Sequence, residues 1–218
     1  MAEQATPTKR PAGGPPAPET LHASQRARRQ RIVRAGLELL EAGSYETIQM
    51  RDVAVAADVA LGTVYRYFSS KEHLFAAVLL EWAEPFATRV RREPDPGSTD
   101  AERLVAALHR AVSAFEYRPQ FFKLIGVLQV VAEPAVADLY REFTDSTRGV
   151  LAETLHDVPA NDVEDVVGLA GAVLDSVLRA RSLGQLSLAE AQDRVARSVA
   201  LVFSLPPQRR RRGKAVTL

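Results

Sequence analysis

Apolar residues recur at helical spacings of three and four positions through most of the chain. The predicted helices cover residues 25–42, 50–57, 61–68, 70–92, 101–117, 119–131, 134–156, 163–183 and 188–205. No segment alternates between apolar and polar residues as a half-buried β-strand does. The pattern therefore predicts an all-α fold.

One short stretch, residues 59–71, combines a small apolar face with an unusual outer face. Val59, Val64 and Phe68 can point into a core. The outward positions carry residues suited to a partner: Leu61, Gly62, Thr63, Tyr65, Arg66 and Tyr67. Asp58 separates this helix from the preceding one, and aspartate tolerates the left-handed backbone of a tight turn. Two short helices joined by such a turn predict a helix-turn-helix motif.

Residues 26–80 resemble the DNA-binding domain of the TetR family of bacterial transcription regulators. The resemblance rests on five ordered motifs: Tyr45-Glu46-Thr47, Arg51-Asp52-Val53-Ala54, Gly62-Thr63-Val64-Tyr65, Tyr67-Phe68 and Ser70-Lys71-Glu72. The family usually has Gly and Ser where this chain has Asp58 and Ala60, so the second helix lacks a side-chain cap. These substitutions also make the stretch similar to the branch that represses cholesterol-catabolism genes.

The resemblance implies a set of DNA contacts in and around the motif. The implied residues are Gln49, Arg51, Leu61, Gly62, Thr63, Tyr65, Arg66, Tyr67, Ser69 and Lys71. The first turn of the second helix is the part that this motif presents to base edges. Arg51 either contacts a base or pairs with a nearby acidic residue, and Arg66 either contacts a base or is solvated. The alternative for Tyr65 and Tyr67 is that they are half-buried and pack against the core.

The start of the next helix is the second predicted DNA contact. Ser69 is expected to cap it in a capping box with Glu72. Free backbone N–H groups at a helix start attract a phosphate, and Lys71 would favour it further. Arg26, Arg28, Arg29 and Arg31 give the first helix a basic end, for which phosphate contact and solvation are both open.

The net charge of +1 conceals an uneven distribution. Residues 24–92 carry 11 Lys/Arg against 8 Asp/Glu, residues 93–205 carry 10 against 17, and residues 206–218 carry 5 against none. Nucleic acid is therefore expected to meet one part of the molecule. With no cysteine, the composition excludes disulfides and fits a cytoplasmic protein. We expect no membrane insertion and no secretion.

The sequence lacks the features of common enzymes. It contains no glycine-rich phosphate loop, no GxSxG motif and no HExxH motif. None of its four histidines has a second histidine at metal-ligand spacing: His22, His73, His109 and His156. We expect no catalytic residue, no metal site and no cofactor.

Composition divides the chain into five parts. They are a disordered arm (1–23), a helix-turn-helix domain (24–69), a connecting helix (70–92), a ligand-binding and dimerisation domain (98–205) and a basic disordered tail (206–218). Pro85 lies inside the connecting helix and should kink or break it. Whether the arm or the tail touches DNA is open.

Bulky apolar residues on the middle helices are candidates for a ligand pocket, with ordinary core packing as the alternative. They are Phe86, Phe115, Phe121, Phe122, Leu128, Tyr140, Phe143, Leu174 and Leu178. An apolar, extended effector is expected, and the resemblance to the cholesterol branch suggests a steroid or an acyl-CoA derivative. A cationic drug would need buried carboxylates, for which Glu116, Glu133 and Asp138 are candidates.

The last two helices are apolar over more than one face, so each needs more than one partner. The resemblance implies that they pair with their copies in a homodimer, and a monomer with a thicker core is the alternative. The expected interface residues are Val163, Val167, Gly168, Gly171, Leu174, Val195, Val199 and Val202.

Together these features predict a ligand-responsive repressor that binds a palindromic operator as a dimer. An apolar small molecule would release it from double-stranded DNA. The alternative is a regulator of a drug-efflux gene that responds to amphipathic or cationic compounds.

Overall fold

A computed structural model describes Pro15, residues 20–92 and residues 99–204. Within these residues the secondary structure is helical, with no strand, which confirms the all-α prediction. The helices are α1 (Ala23–Ala42), α2 (Met50–Ala56), α3 (Leu61–Tyr67), α4 (Lys71–Arg92), α5 (Asp100–Tyr117), α6 (Pro119–Leu128), α7 (Pro134–Ala152), α8 (Ala160–Ser182) and α9 (Leu188–Ser204). Most of the predicted arm, residues 93–98 and the basic tail lie outside the described residues.

The predicted end of α7 at His156 is wrong by four residues, because α7 ends at Ala152. The cause is Asp100, whose carboxylate accepts the backbone N–H groups of residues 156–158 at 2.8–2.9 Å. Those N–H groups are therefore not available to continue the helix. Arg103 also donates to Asp100 and, through Nε, to the backbone oxygen of Thr154 at 2.9 Å.

Helix α4 continues through Pro85 to Arg92, so the proline does not break it, and the alternative of a kink stays a prediction. A proline costs one backbone hydrogen bond inside a helix, which tertiary packing can offset. The residues before it are well buried, with Leu74, Phe75 and Val78 fully inaccessible.

The chain divides into two compact units. The first contains residues up to Pro85 together with Gln120–Asp145, and the second contains Phe86–Pro119 and the residues from Ser146 onward. These limits do not coincide with the predicted domain boundaries, since α6 groups with the N-terminal helices.

The core of the first unit brings the three N-terminal helices onto α4. Ile32 of α1, Val53 of α2 and Val64 of α3 are fully buried. Trp82 of α4 stacks on Phe121 of α6, with ring centroids 4.3 Å apart and planes 9° from parallel. The helix-turn-helix segment is thus supported from behind by α1 and α4.

The second unit is built on α5, which packs against α8 and α9. Leu108 of α5, Val177 of α8 and Val195 of α9 are fully buried. His109 of α5 lies with Nε2 2.8 Å from the backbone oxygen of Gln192. This histidine therefore serves packing between α5 and α9.

Among the helices described, none combines the length and the apolar character that crossing a bilayer requires.

Candidate DNA-binding surface

The turn between α2 and α3 has the backbone conformation that the sequence predicts. Asp58 has φ +52°, in the left-handed region. The N–H of Val59 donates to the oxygen of Ala54 at 3.0 Å, and that of Asp58 to Val55 at 3.1 Å. These are the two bonds of a Schellman motif, in which glycine is the usual residue at the left-handed position. Asp58 therefore ends α2 and sets the direction of α3.

Helix α3 begins without a side-chain cap, as expected from Ala60. The backbone oxygen of Ala60 accepts the N–H of Thr63 at 2.8 Å. A Cβ added at Gly62 would meet no atom within 4 Å, so the first turn is open on this side. The backbone can approach a flat partner closely at this point.

Most predicted DNA contacts of α3 lie on one open face. Leu61 is 42% exposed and Tyr65 is 50% exposed, while Gly62 and Arg66 are also exposed and Thr63 is half-buried. Val64 is completely buried on the opposite side. Val64 thus anchors one face of α3 in the core, and the opposite face is accessible to a partner.

Tyr67 departs from the prediction that it points outward, because it is only 3% exposed. It lies three positions after Val64 and therefore on the same face of α3. Its hydroxyl is buried and has no hydrogen-bond partner. The guanidinium of Arg66 lies 5.5 Å from the centroid of the Tyr67 ring. Direct contact of Tyr67 with DNA is not supported by this placement.

Gln49 and Arg51 occupy the exposed start of α2. The backbone N–H of Gln49 donates to Oδ2 of Asp52 at 2.8 Å, which caps the helix. Nε of Arg51 lies 3.7 Å from Oδ1 of Asp52, and the arginine side chain is 71% exposed. Exposed pairs of this kind are worth about 0–1 kcal/mol, so a phosphate or a base can replace the carboxylate.

Two further basic residues are held by aromatic rings. The guanidinium of Arg29 lies 5.0 Å from the centroid of the Phe68 ring, and burial lowers its pKa. The Nζ of Lys71 donates to the backbone oxygen of Tyr45 and lies 3.9 Å from the centroid of that ring. The Tyr45 hydroxyl in turn donates to Glu72 at 2.7 Å. No feature of the local sequence pattern indicates these contacts.

The start of α4 differs from the prediction by one residue. Ser70, and not Ser69, caps the helix, since its hydroxyl accepts the N–H of His73 at 3.0 Å. Ser69 and Ser70 both donate their hydroxyl protons to Glu133, Ser70 at 2.6 Å. Because a serine hydroxyl has one proton, neither is left to donate to a DNA phosphate. Glu133 is a site residue that sequence reasoning missed in this role.

The candidate ligand residues divide between the two units. In the first, Phe121, Leu128 and Phe143 are buried, and Phe122 and Tyr140 are half-buried. In the second, Leu174 and Leu178 are buried, while Phe86 and Phe115 are half-buried and Phe86 packs against Val150. A pocket formed by these residues stays a prediction.

Four of the expected interface residues are already buried within a single chain, and their contact with a second copy stays a prediction. Val167, Leu174, Val195 and Val199 are at most 9% exposed within a single chain. The strongest apolar stripes of α8 and α9 face the core of the same chain, because that core offers the largest burial. Val163, Gly168, Gly171 and Val202 are half-buried and remain accessible. Leu169 of α8 and Leu201 of α9 are 50% and 68% exposed, and they mark the apolar surface that is left.

In the described part of the chain, no group of three or more His, Asp or Glu side chains is arranged to hold a metal ion.

Comparison with known proteins matches residues 32–78 to the family described as bacterial regulatory proteins, tetR family. The transcriptional repressor KstR of Rhodococcus jostii is 42% identical over 96 residues, which are 44% of this chain and 44% of KstR. The chain thus spans less than half the length of this curated relative.

Two solved structures resemble a larger part of the fold. A TetR transcriptional regulator from Rhodococcus sp. RHA1 has a TM-score of 0.67 and 26% identity, covering 83% of this chain and 98% of that one. FadR from Bacillus subtilis, solved in complex with stearoyl-CoA, has a TM-score of 0.61 and 17% identity over 80% of this chain and 97% of its own. The second likeness concerns the fold alone. Together with the helix-turn-helix geometry, these matches show that residues 32–78 resemble the helix-turn-helix segment of the bacterial regulatory proteins of the tetR family, and that the fold is similar to that of a TetR transcriptional regulator.

Proposed function

We propose that this protein is a dimeric, ligand-responsive repressor that binds a palindromic operator through α3. The observation that carries the proposal is the open face of α3, where Leu61, Gly62 and Tyr65 are exposed beside the exposed start of α2. A helix held by Val64 on one side and open on the other fits the major groove. The similarity of this part of the chain to the repressor KstR supports the same reading.

The contacts divide into two kinds. Leu61, Thr63, Tyr65 and Arg66 are proposed to face base edges, and Arg51 either a base or the backbone. Gln49 and Lys71 are proposed to face phosphates, together with the backbone N–H groups at the start of α4. The serine hydroxyls are left out of this set because Glu133 accepts both protons.

The proposed dimer is supported by the apolar surface that a single chain leaves exposed. Leu169 and Leu201 are large apolar side chains on the last two helices, and each is at least half exposed. Ala172 and Ala200 are exposed on the same two helices and allow close approach of another helix. We propose that a second copy covers this surface. Two recognition helices about 34 Å apart would then meet successive half-sites.

An apolar effector is favoured over a cationic one by the state of three carboxylates. Glu116 forms a two-point ion pair with Arg181, Glu133 accepts from Ser69 and Ser70, and Asp138 pairs with Arg141 at 2.8 Å. Glu116 and Glu133 are thus engaged and the Asp138 side chain is 69% exposed, so none of the three is a free buried carboxylate that could hold a cation. The proposed effector is therefore a steroid or an acyl-CoA derivative. The stearoyl-CoA bound to FadR supports the second class.

The drug-efflux alternative makes a different demand, namely a free buried carboxylate for a cationic compound. The engagement of Glu116, Glu133 and Asp138 argues against it.

Fluorescence anisotropy on labelled DNA from upstream of the protein's own gene tests the proposal. Binding at least about a hundredfold tighter than to a scrambled duplex, with two protomers or a multiple of two per duplex, is expected. Release by stearoyl-CoA, but not by a hydrophobic cation, would support the effector class. Equal and salt-labile binding to both duplexes would count against an operator in this region.

A further inference from the structure

The carboxylate of Glu133 is brought to the connection between α3 and α4. Glu133 directly precedes α7, and its backbone oxygen accepts the N–H groups of Val136 and Ala137 at 3.0 Å. Its side chain does not turn back to its own helix. It accepts hydrogen bonds from Ser69 and Ser70, which are 64 and 63 positions away in sequence.

This contact ties the start of α7 to Ser69 and Ser70, which lie between α3 and α4. Ser69 is also held by His73, whose Nδ1 lies 2.9 Å from the Ser69 hydroxyl oxygen and 3.2 Å from the Ser69 backbone nitrogen. His73 is 9% exposed and packs edge-on against Phe68, with ring centroids 5.3 Å apart. The connection is therefore held by Glu133 on one side and by the core on the other.

Glu133 is charged at neutral pH. Burial raises the pKa of its carboxyl group, but the hydrogen bonds from Ser69 and Ser70 and the nearby His73 outweigh this, so the pKa lies below its usual value. Hydrogen bonds to a charged acceptor are roughly twice as strong as those between neutral groups. The contact is thus present under ordinary conditions and does not depend on a change of pH.

Because α3 is short, its orientation depends on the contacts at its two ends. The helix has seven residues, and isolated helices of this length are not stable in water. Its orientation is therefore determined by the turn at Asp58 before it and by the connection after it. Phe68 anchors the connection in the core, and Ser69 and Ser70 continue it toward α7.

We propose that Glu133 is a positioning residue for DNA recognition, which sets the orientation of α3 by holding Ser69 and Ser70 without touching DNA. Operator affinity then depends on where the start of α7 lies. The proposal rests on the proposed function in that it assigns α3 to the operator. Gln120–Asp145 and residues up to Pro85 form one compact unit, which is what such a link requires.

The test uses Glu133→Gln in the full chain. A carboxamide has one acceptor oxygen and one donor nitrogen, so it can satisfy one serine and not both. Asp138→Asn is the matched control, since it removes the same charge one turn later on α7, where Asp138 pairs with Arg141 of its own helix. Ser69→Ala removes the other partner.

Amide hydrogen exchange gives the readout that is independent of DNA. We expect Glu133→Gln and Ser69→Ala to raise exchange rates several-fold in residues 61–70, while Asp138→Asn leaves them unchanged. Combining Glu133→Gln with Ser69→Ala should add little, because both remove the same contact. Unchanged exchange in the single variants would overturn the proposal.

Operator binding gives the functional readout. We expect Glu133→Gln to weaken specific binding about tenfold, with the salt dependence unchanged because no phosphate contact is lost. A lower salt slope would mean that Glu133 acts on the phosphates, and unchanged affinity would mean that α3 is positioned without it; either result overturns the proposal. If the wild-type protein does not bind its operator, the proposed function fails, whereas normal wild-type binding with an unaffected variant refutes only the role of Glu133.

Discussion

The ammonium group of Lys71 lies against the face of the Tyr45 ring, 3.9 Å from its centroid, and donates to the backbone oxygen of the same tyrosine. Burial lowers the pKa of Lys71. One of its three donors is thus used inside the protein, and two remain for a phosphate. These contacts hold the flexible side chain of Lys71 in place at the start of α4 in the absence of DNA.

Replacement of Lys71 by methionine should separate its charge from its packing. The aliphatic stem would still cover Tyr45, so the midpoint of unfolding should stay nearly unchanged. Affinity should fall on operator and scrambled DNA alike, and the salt slope should decrease by about one unit. Tyr45→Phe, which removes only the hydroxyl bound to Glu72, is the control and should leave the slope intact. An unchanged slope for Lys71→Met would remove this residue from the phosphate contacts.

Tyr65 and Tyr67 should respond in opposite ways. Tyr65 is half exposed, so Tyr65→Ala should weaken operator binding with little change in the unfolding midpoint. Tyr67 is buried, so Tyr67→Ala should cost about 3–5 kcal/mol of stability. Tyr67→Phe should leave the stability equal or higher, because it removes a buried hydroxyl without a partner. A loss of operator affinity in Tyr67→Phe at full stability would place that hydroxyl on DNA after all.

The left-handed conformation of Asp58 predicts a simple ordering of variants. Asp58→Gly should be at least as stable as the wild type, since glycine adopts this conformation without a steric cost. Asp58→Ala should be less stable by about 1 kcal/mol. Urea denaturation measures both, and equal stability of the two variants would contradict the role of the turn.

Asp100 should make the protein sensitive to acid. Burial raises its pKa, but backbone N–H groups of residues 156–158 and Arg103 outweigh this, so the pKa lies below its usual value. A depressed pKa of an acid means that its stabilisation is complete above the unfolded pKa of about 3.9 and is lost as the pH falls through the folded pKa.

Asp100→Asn should therefore lower the free energy of unfolding at pH 7 by about 3 kcal/mol, because it leaves buried donors unpaired. The difference from the wild type should shrink below a pH of about 4. Urea unfolding at several pH values, with the exposed Asp138→Asn as control, measures the difference. A difference that persists at low pH would show that the amide fails for steric and not electrostatic reasons.

The exposed apolar surface of α8 and α9 predicts the effect of added charge. Leu169→Lys and Leu201→Lys should each shift the protein toward monomer in sedimentation equilibrium, without lowering the unfolding midpoint of the monomer. Val130→Lys is the control, because Val130 is 83% exposed and lies on neither helix. Val199→Ala should reduce stability through the core of each chain. If the Leu variants remain dimeric, the interface lies elsewhere.

Local features were predictable from the sequence, and distant contacts were not. The helix periods, the turn at Asp58 and the anchoring role of Val64 depend on neighbouring residues, so the pattern reveals them. The burial of Tyr67 was also predictable, because it follows Val64 by three positions, but the pattern was interpreted with only Val59, Val64 and Phe68 on the inner face. The predicted interface residues on α9 could not be separated from core residues by the pattern, because the strongest apolar stripe of α9 packs within its own chain and only a weaker set of apolar residues remains exposed.

The contacts of Ser69 could not be predicted in the same way. Its partner Glu133 is 64 positions away, and nothing in the local pattern distinguishes this acid from others on the chain. The hydrogen bonds from the N–H groups of residues 156–158 to Asp100 are also contacts between residues that are far apart in sequence. The apolar period alone predicts a longer α7 and gives no indication of this carboxylate.

The stacked pair of Trp82 and Phe121 has a practical consequence. The sequence contains a single tryptophan, so the near-ultraviolet emission of the protein comes mainly from the place where α4 meets α6. Any movement of α6 against α4 should change the polarity around this indole and shift its emission. The native protein thus carries a built-in optical reporter, which can follow the response to DNA or to a small molecule without a label.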